Sequence, residues 1–133
     1  MLYYSIFQDQ NLCIFHAGGE LTRQEMLECY EDLIMDPRWP DVDTVLTDLR
    51  DCEDVDARFG NDATRQRMEK NAFGNRRLVY LTGHTNFLGK MAMAEIAGGA
   101  SMVERYQFDH QDDLERYLGE DGLMLQECLA TLR

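Results

Sequence analysis

The chain is 133 residues long, 29% charged and 44% hydrophobic, and its 25 acidic residues against 13 Lys and Arg leave a net charge of −12. That size fits one domain, with enough chain to bury most of the surface exposed on unfolding. The charge argues against nucleic acid and anionic membranes, which recruit proteins through basic surfaces, and suits a basic protein partner.

In chain order, "MLYYSIFQ" has no basic leader region and no long apolar run, so no signal peptide is expected at this start. Residues 2–8 are aromatic and β-branched with rough alternation, "DQN" supplies a turn, and "LCIFHA" reads as a second strand. Together they predict a β-hairpin. Gly18-Gly19 breaks the pattern, and Thr22 with Glu25 three residues on forms a capping box. The helix it opens places Met26, Leu27, Tyr30, Leu33 and Ile34 on one face, and Pro37, Trp39 and Pro40 mark its end.

Residues 44–49 form a nearly continuous apolar run, the mark of a strand buried on both faces. Residues 56–70 read as an amphipathic helix anchored by Phe59 and Met68, residues 76–82 as a fourth strand, and residues 86–97 as a helix stopped by Gly98-Gly99. Residues 101–108 predict a fifth strand. Asp109 and Asp112 then open a helix carrying Leu114, Tyr117 and Leu118, and residues 123–132 read as a last short helix. The expected fold is α/β in a single domain, residues 1–133, with 120–133 as a helical extension. It has one mixed five-stranded sheet, an N-terminal hairpin and then alternating strands and helices. No stretch approaches the roughly 20 apolar residues of a membrane helix. Cys13, Cys29, Cys52 and Cys128 form no C-x-x-C pair, so reduced thiols and a cytoplasmic location are expected, with Cys52 the exposed one.

Between Asp36 and Asp56 lies an acidic block: Asp36, Asp41, Asp43, Asp48, Asp51, Glu53, Asp54 and Asp56, against only Arg38 and Arg50. A calcium loop needs oxygen ligands at its first, third and fifth positions and a glycine at its sixth. Counted from Asp54, those last two are Arg58 and Phe59; counted from Asp41, the fifth is Val45. The spacing favours a solvated loop over a metal site. "GHTNFLGK" fails as a phosphate loop, because five residues separate its glycines and Met91 follows Lys90. An ordinary strand-to-helix turn capped by Thr85 or Asn86 is favoured over an anion site.

The helix holding Phe87, Leu88, Met91, Met93 and Ile96 is apolar almost all round, so it is covered on more than one side. Neighbouring helices, a homodimer contact or a pocket for a small apolar ligand would each cover it. His16, His84 and His110 stand alone, without a second ligand at helical spacing, and Ser5 and Ser101 both fall in predicted strands. Cys52 lies between Asp51 and Glu53, which oppose a thiolate. No catalytic constellation, metal site or cofactor site is expected.

Four segments in order, "GGELTRQEMLECYEDLIMDPRW", "VLTDLRD", "RRLVYLTGHTNFLGKMAMAE" and "VERYQFDHQDDLERYLG", resemble the SpoIIAA-like family of STAS and CRAL-TRIO-like bacterial domains over about residues 1–119. The resemblance implies an α/β sheet with helices mainly on one side, and a non-enzymatic cytoplasmic regulatory module acting through protein–protein interaction. A carrier or sensor of a small apolar or lipid-like ligand is the alternative. The wider superfamily carries a phosphorylatable Ser after the central strand. Asp48 matches the acidic residue that precedes it, but Leu49, Arg50 and Asp51 follow, and no Ser or Thr occurs from Asp48 to Ala63. The usual phosphoswitch is therefore not expected. Leu88-Gly89 also stands where the family has Phe-Gly, and Tyr117 where it has Trp.

Ligands of open α/β sheets bind outside the carboxyl ends of parallel strands. That rule brings Asp48, Arg50 and Asp51 near Thr82, His84 and Asn86, with Phe87 and Met91 as an apolar wall. Arg50 is the best single candidate for a partner's acidic group; its local alternative is an ion pair with Asp48 or Asp51.

Overall fold

The computed structural model describes residues 1–55, 63–74, 76–81, 105–108 and 110–118. Strands β1 (Leu2–Phe7) and β2 (Leu12–Leu21) form an antiparallel hairpin. A 3₁₀ turn at Gln8–Gln10 joins them, closed by Asn11 in the left-handed region at φ 51°. Asparagine tolerates that backbone better than most residues. Helix α1 (Arg23–Met35) leads to β3 (Thr44–Val55), and α2 (Ala63–Phe73) leads to β4 (Arg77–Leu81). Both β2–β3 and β3–β4 are parallel, so the sheet is mixed and the class is α/β. A further segment, β5 (Arg105–Phe108), pairs parallel with β4 on its far side, and α3 (Gln111–Leu118) follows it. Among the described residues no helix is long and apolar enough to cross a membrane.

Alternation along the strands divides the core into two faces. Cys13, Phe15, Val45, Leu49, Leu78 and Tyr80 point to one face, where Met26, Cys29, Tyr30 and Leu33 of α1 and Ala72 and Phe73 of α2 cover them. Phe73 is the centre of an aromatic cluster, with ring centroids 5.3 Å from Tyr30, 6.0 Å from Trp39 and 6.1 Å from Phe15. Leu12, Ile14, Leu46, Val79 and Leu81 point the other way and pack against Leu114 of α3. The third strand is thus buried on both faces, as its apolar run implies.

Helix α1 starts where the capping box anticipates. The Thr22 hydroxyl accepts from the Glu25 N–H at 3.2 Å, and the Glu25 carboxylate accepts from the Thr22 N–H at 3.0 Å. Its buried stripe is Met26, Cys29, Tyr30 and Leu33; Ile34, expected on that stripe, is 46% exposed, and Cys29 takes its place. The stripe follows the i, i+3, i+4, i+7 rows from Met26, and Ile34, at i+8, lies at its exposed margin.

After the helix, Trp39 is buried in a 3₁₀ turn (Trp39–Asp41), where its indole N–H donates to the Ala72 carbonyl at 3.0 Å. Arg76 lies over the Trp39 ring, 4.1 Å from its centroid, and donates to the carbonyls of Val42, Ala72, Phe73 and Trp39. Two of those carbonyls belong to the last turn of α2, which has no intrahelical donors left for them.

Three expectations fail in one place, the first being the break at Gly18-Gly19, which β2 runs through. Residues 50–55 are a continuation of β3 and not a loop, and Cys52 is 2% exposed rather than accessible. The cause is the length of β2, which runs through Gly18-Gly19 to Leu21 and pairs Gly18 with Asp51 and Leu21 with Val55. The register shifts twice, between His16 and Gly18 and between Gly19 and Glu20, and each shift inserts one extra residue in β3. The first bulge reverses which residues face inward, so Cys52 turns under α1 while Asp51 and Glu53 turn out.

Candidate functional site

The bulge creates the site. Asp48 sits at the carboxyl end of the β4 pairing, opposite Leu81 on one side and His16 on the other, and is 0% exposed. Arg50, two residues on, shares its face and folds back over it. One Asp48 oxygen, Oδ1, accepts from the Arg50 backbone N–H at 3.1 Å and from Nε at 2.9 Å; Oδ2 accepts from Nη2 at 2.8 Å. A side-chain-to-backbone bond two residues ahead is an Asx turn, and the bulged backbone supplies the bend it needs. The remaining guanidinium nitrogen, Nη1, donates to Gln111 Oε1 at 2.9 Å, and Gln111 Nε2 donates to Glu115 Oε1 at 3.0 Å. A single hydrogen-bonded chain therefore ties β3 to the first turn of α3.

His16 enters from β2. It is 5% exposed, its Nδ1 lies 3.7 Å from Asp48 Oδ2, and its Nε2 lies 3.3 Å from Asp51 Oδ2. The Tyr3 ring stands 5.1 Å from the imidazole. Asp51 keeps 49% of its side chain exposed, whereas Asp48 keeps 1% and Arg50 19%. The site thus has a buried carboxylate under a partly exposed guanidinium, and an accessible outer carboxylate. Among the described residues no group of three or more His, Cys, Asp or Glu side chains is arranged to hold a metal ion.

Of the expected site residues, Asp48, Arg50 and Asp51 come together. Asp48, however, is an anchor and not a displayed group, and Arg50 takes its local alternative, the ion pair. Thr82, His84, Asn86, Phe87 and Met91 lie outside the described residues, as do the helix proposed for dimer contact and the C-terminal extension. His16, Gln111 and Glu115 were not expected. A signal existed for His16: it ends the same-face series Leu12, Ile14, His16, as Asp48 and Arg50 end Leu46, Asp48, Arg50. Polar ends of two inward series point to each other only once the strands are known to be neighbours.

Among the described residues, two concavities lie away from this site. One, of about 30 Å³, is apolar, between α1, α2 and the sheet, with Phe15, Tyr30, Leu49, Phe73 and Tyr80 among its walls. That volume suits one or two water-sized occupants and no lipid. The other, of about 280 Å³, runs beside β1, lined by Leu2, Tyr3 and Tyr4 and by Glu25, Glu28, Cys29 and Asp32 of α1. Burial, together with a hydrogen bond to Asp36 at 3.1 Å, pushes the Tyr4 hydroxyl up to about 12. Burial and then the charge of Asp32 push the Cys29 thiol up to about 12. Neither group is an anion near neutral pH.

No protein-family model matches the chain, and no curated protein matches it significantly in sequence.

Proposed function

We propose that this chain is a five-stranded SpoIIAA-like module of the cytoplasm that binds another protein, is not an enzyme and does not use the usual Ser phosphoswitch. The observation that carries this reading is the state of Asp48. A general base or nucleophile must reach its substrate. Asp48, the central carboxylate at the strand ends, is fully buried and holds Arg50 through three hydrogen bonds. What the strand end offers outward is Asp51, on a backbone fixed by that pair and by α3. A rigid, partly exposed polar platform suits recognition, because little ordering is left to do on binding.

Native mass spectrometry of the protein purified from its own host tests this. The expected result is a stoichiometric protein complex whose affinity drops about tenfold, near 1.4 kcal/mol, with Asp51→Lys but not with Asp9→Lys on the distant hairpin turn. A protein that emerges alone, or with an adduct of lipid-like mass, overturns the reading.

A further inference from the structure

We propose that the outer edge of β1 is a strand-pairing site for an extended, basic segment of a partner protein. It goes beyond the strand-end reading and uses different residues, so its failure leaves Asp51 untouched. Met1 and Gly18 exchange both backbone hydrogen bonds, each at 2.8 Å. In an antiparallel pair such bonded positions alternate with unbonded ones. The register therefore turns the N–H and C=O groups of Tyr3, Ser5 and Phe7 toward β2, and those of Leu2, Tyr4 and Ile6 away from it. Among the described residues β1 ends the sheet on this side and nothing pairs with that outer row. Edge strands deter pairing with charges, proline or bulges. "LYYSIF" has no charge and no proline, and its register to β2 is unbroken.

The groove beside this edge selects the occupant. Leu2, Tyr3 and Tyr4 form one wall, and Glu25, Glu28 and Asp32 stand on the other. Ile6 is buried, so pairing begins at the Leu2 and Tyr4 end. A strand added there turns alternate side chains toward α1, about 7 Å apart. Glu25 is held by the Met1 ammonium at 3.3 Å and by the capping box, so Glu28 and Asp32, one helical turn or about 6 Å apart along the axis, form the carboxylate row. Two Lys or Arg residues at alternate positions therefore meet it. A second copy of this chain is the poorer occupant. Joining two β1 edges would bring two such acidic walls together on chains that each carry −12.

The test adds a short blocked peptide of alternating lysine and threonine to the full chain, read by fluorescence anisotropy and amide hydrogen exchange. Binding should slow exchange at the amides of Leu2 and Tyr4. It should weaken about tenfold when alternate peptide amides are N-methylated, and again by about tenfold in the Glu28→Lys, Asp32→Lys double variant, whose sites are both exposed on α1. Binding that survives N-methylation is charge attraction without strand pairing and overturns the proposal. So does binding that survives the charge reversal, protection confined to other strands, or a dimer of the free protein joined through β1.

Discussion

Asp48 and Arg50 form a pair in which neither member tolerates loss of the other. Asp48 is fully buried, so its charge depends on the guanidinium, and Arg50 in turn holds α3 through Gln111. Removing one partner of a buried ion pair leaves an uncompensated charge, a cost of about 3–5 kcal/mol when both are dry; Arg50 is partly exposed, so about 3 is expected. Asp48→Ala and Arg50→Ala should each lower the urea midpoint by that order. The double variant should lose less than their sum, by about 1–2 kcal/mol of coupling. Strictly additive losses would mean that the pair is not the unit described. His16 adds a third member, but its distance of 3.7 Å to Asp48 makes it the weakest link in the cluster.

At the scale of elements, Arg76 does for α2 and the 3₁₀ turn what Arg50 does for α3. Its guanidinium gathers four backbone carbonyls and stacks on Trp39, and burial lowers its proton affinity because water is excluded. Arg76→Ala should cost about 3 kcal/mol, since hydrogen bonds to a charged donor contribute about 1.5–3 each and the stacking is lost too. Arg76→Lys should recover little, because an ammonium has neither the planar fork nor the stacking face. A lysine variant as stable as the parent in thermal unfolding would contradict this account.

The same scale shows what sequence can and cannot disclose. The capping box, the hairpin and the starts of β3 and β4 rest on local patterns and were legible. The end of β3 was not, because two bulges interrupt its alternation, and "DLRDCEDV" then looks like solvated loop. His16 and Gln111 were missed for a different reason: Arg50 and Gln111 are 61 residues apart, and no local pattern encodes that encounter.

For the whole molecule, the perturbed groups set a window of pH. Hydrogen bonds from Arg38 hold the Asp36 carboxyl well below its ordinary 3.8. A lowered carboxylate contributes stability that is present above its unfolded value and is lost as pH falls through the folded one. At the other end, burial first raises Tyr4 from 10.0 to about 12 and Cys29 from 9.0 to about 12, and Cys13 higher still. The folded chain keeps those protons while the unfolded chain sheds them, so stability falls as pH rises above about 9. Stability should be level between about pH 4 and 9 and decline outside that range. Urea midpoints measured across pH would show this, with Tyr4→Phe flattening part of the alkaline decline and Asp36→Asn part of the acid one. A midpoint unchanged from pH 9 to 11 would rule out these buried acids as the cause.

The order of the strands carries one more consequence. Among the described residues each strand after β1 pairs with the one that precedes it in the chain. During synthesis each described strand after β1 therefore finds a partner already made. The sheet can grow one strip at a time as the chain leaves the ribosome, starting from the hairpin, whose ends close quickly. Its growing face is always the newest strand, while the outer edge of the oldest, β1, is left open by every later strand among the described residues.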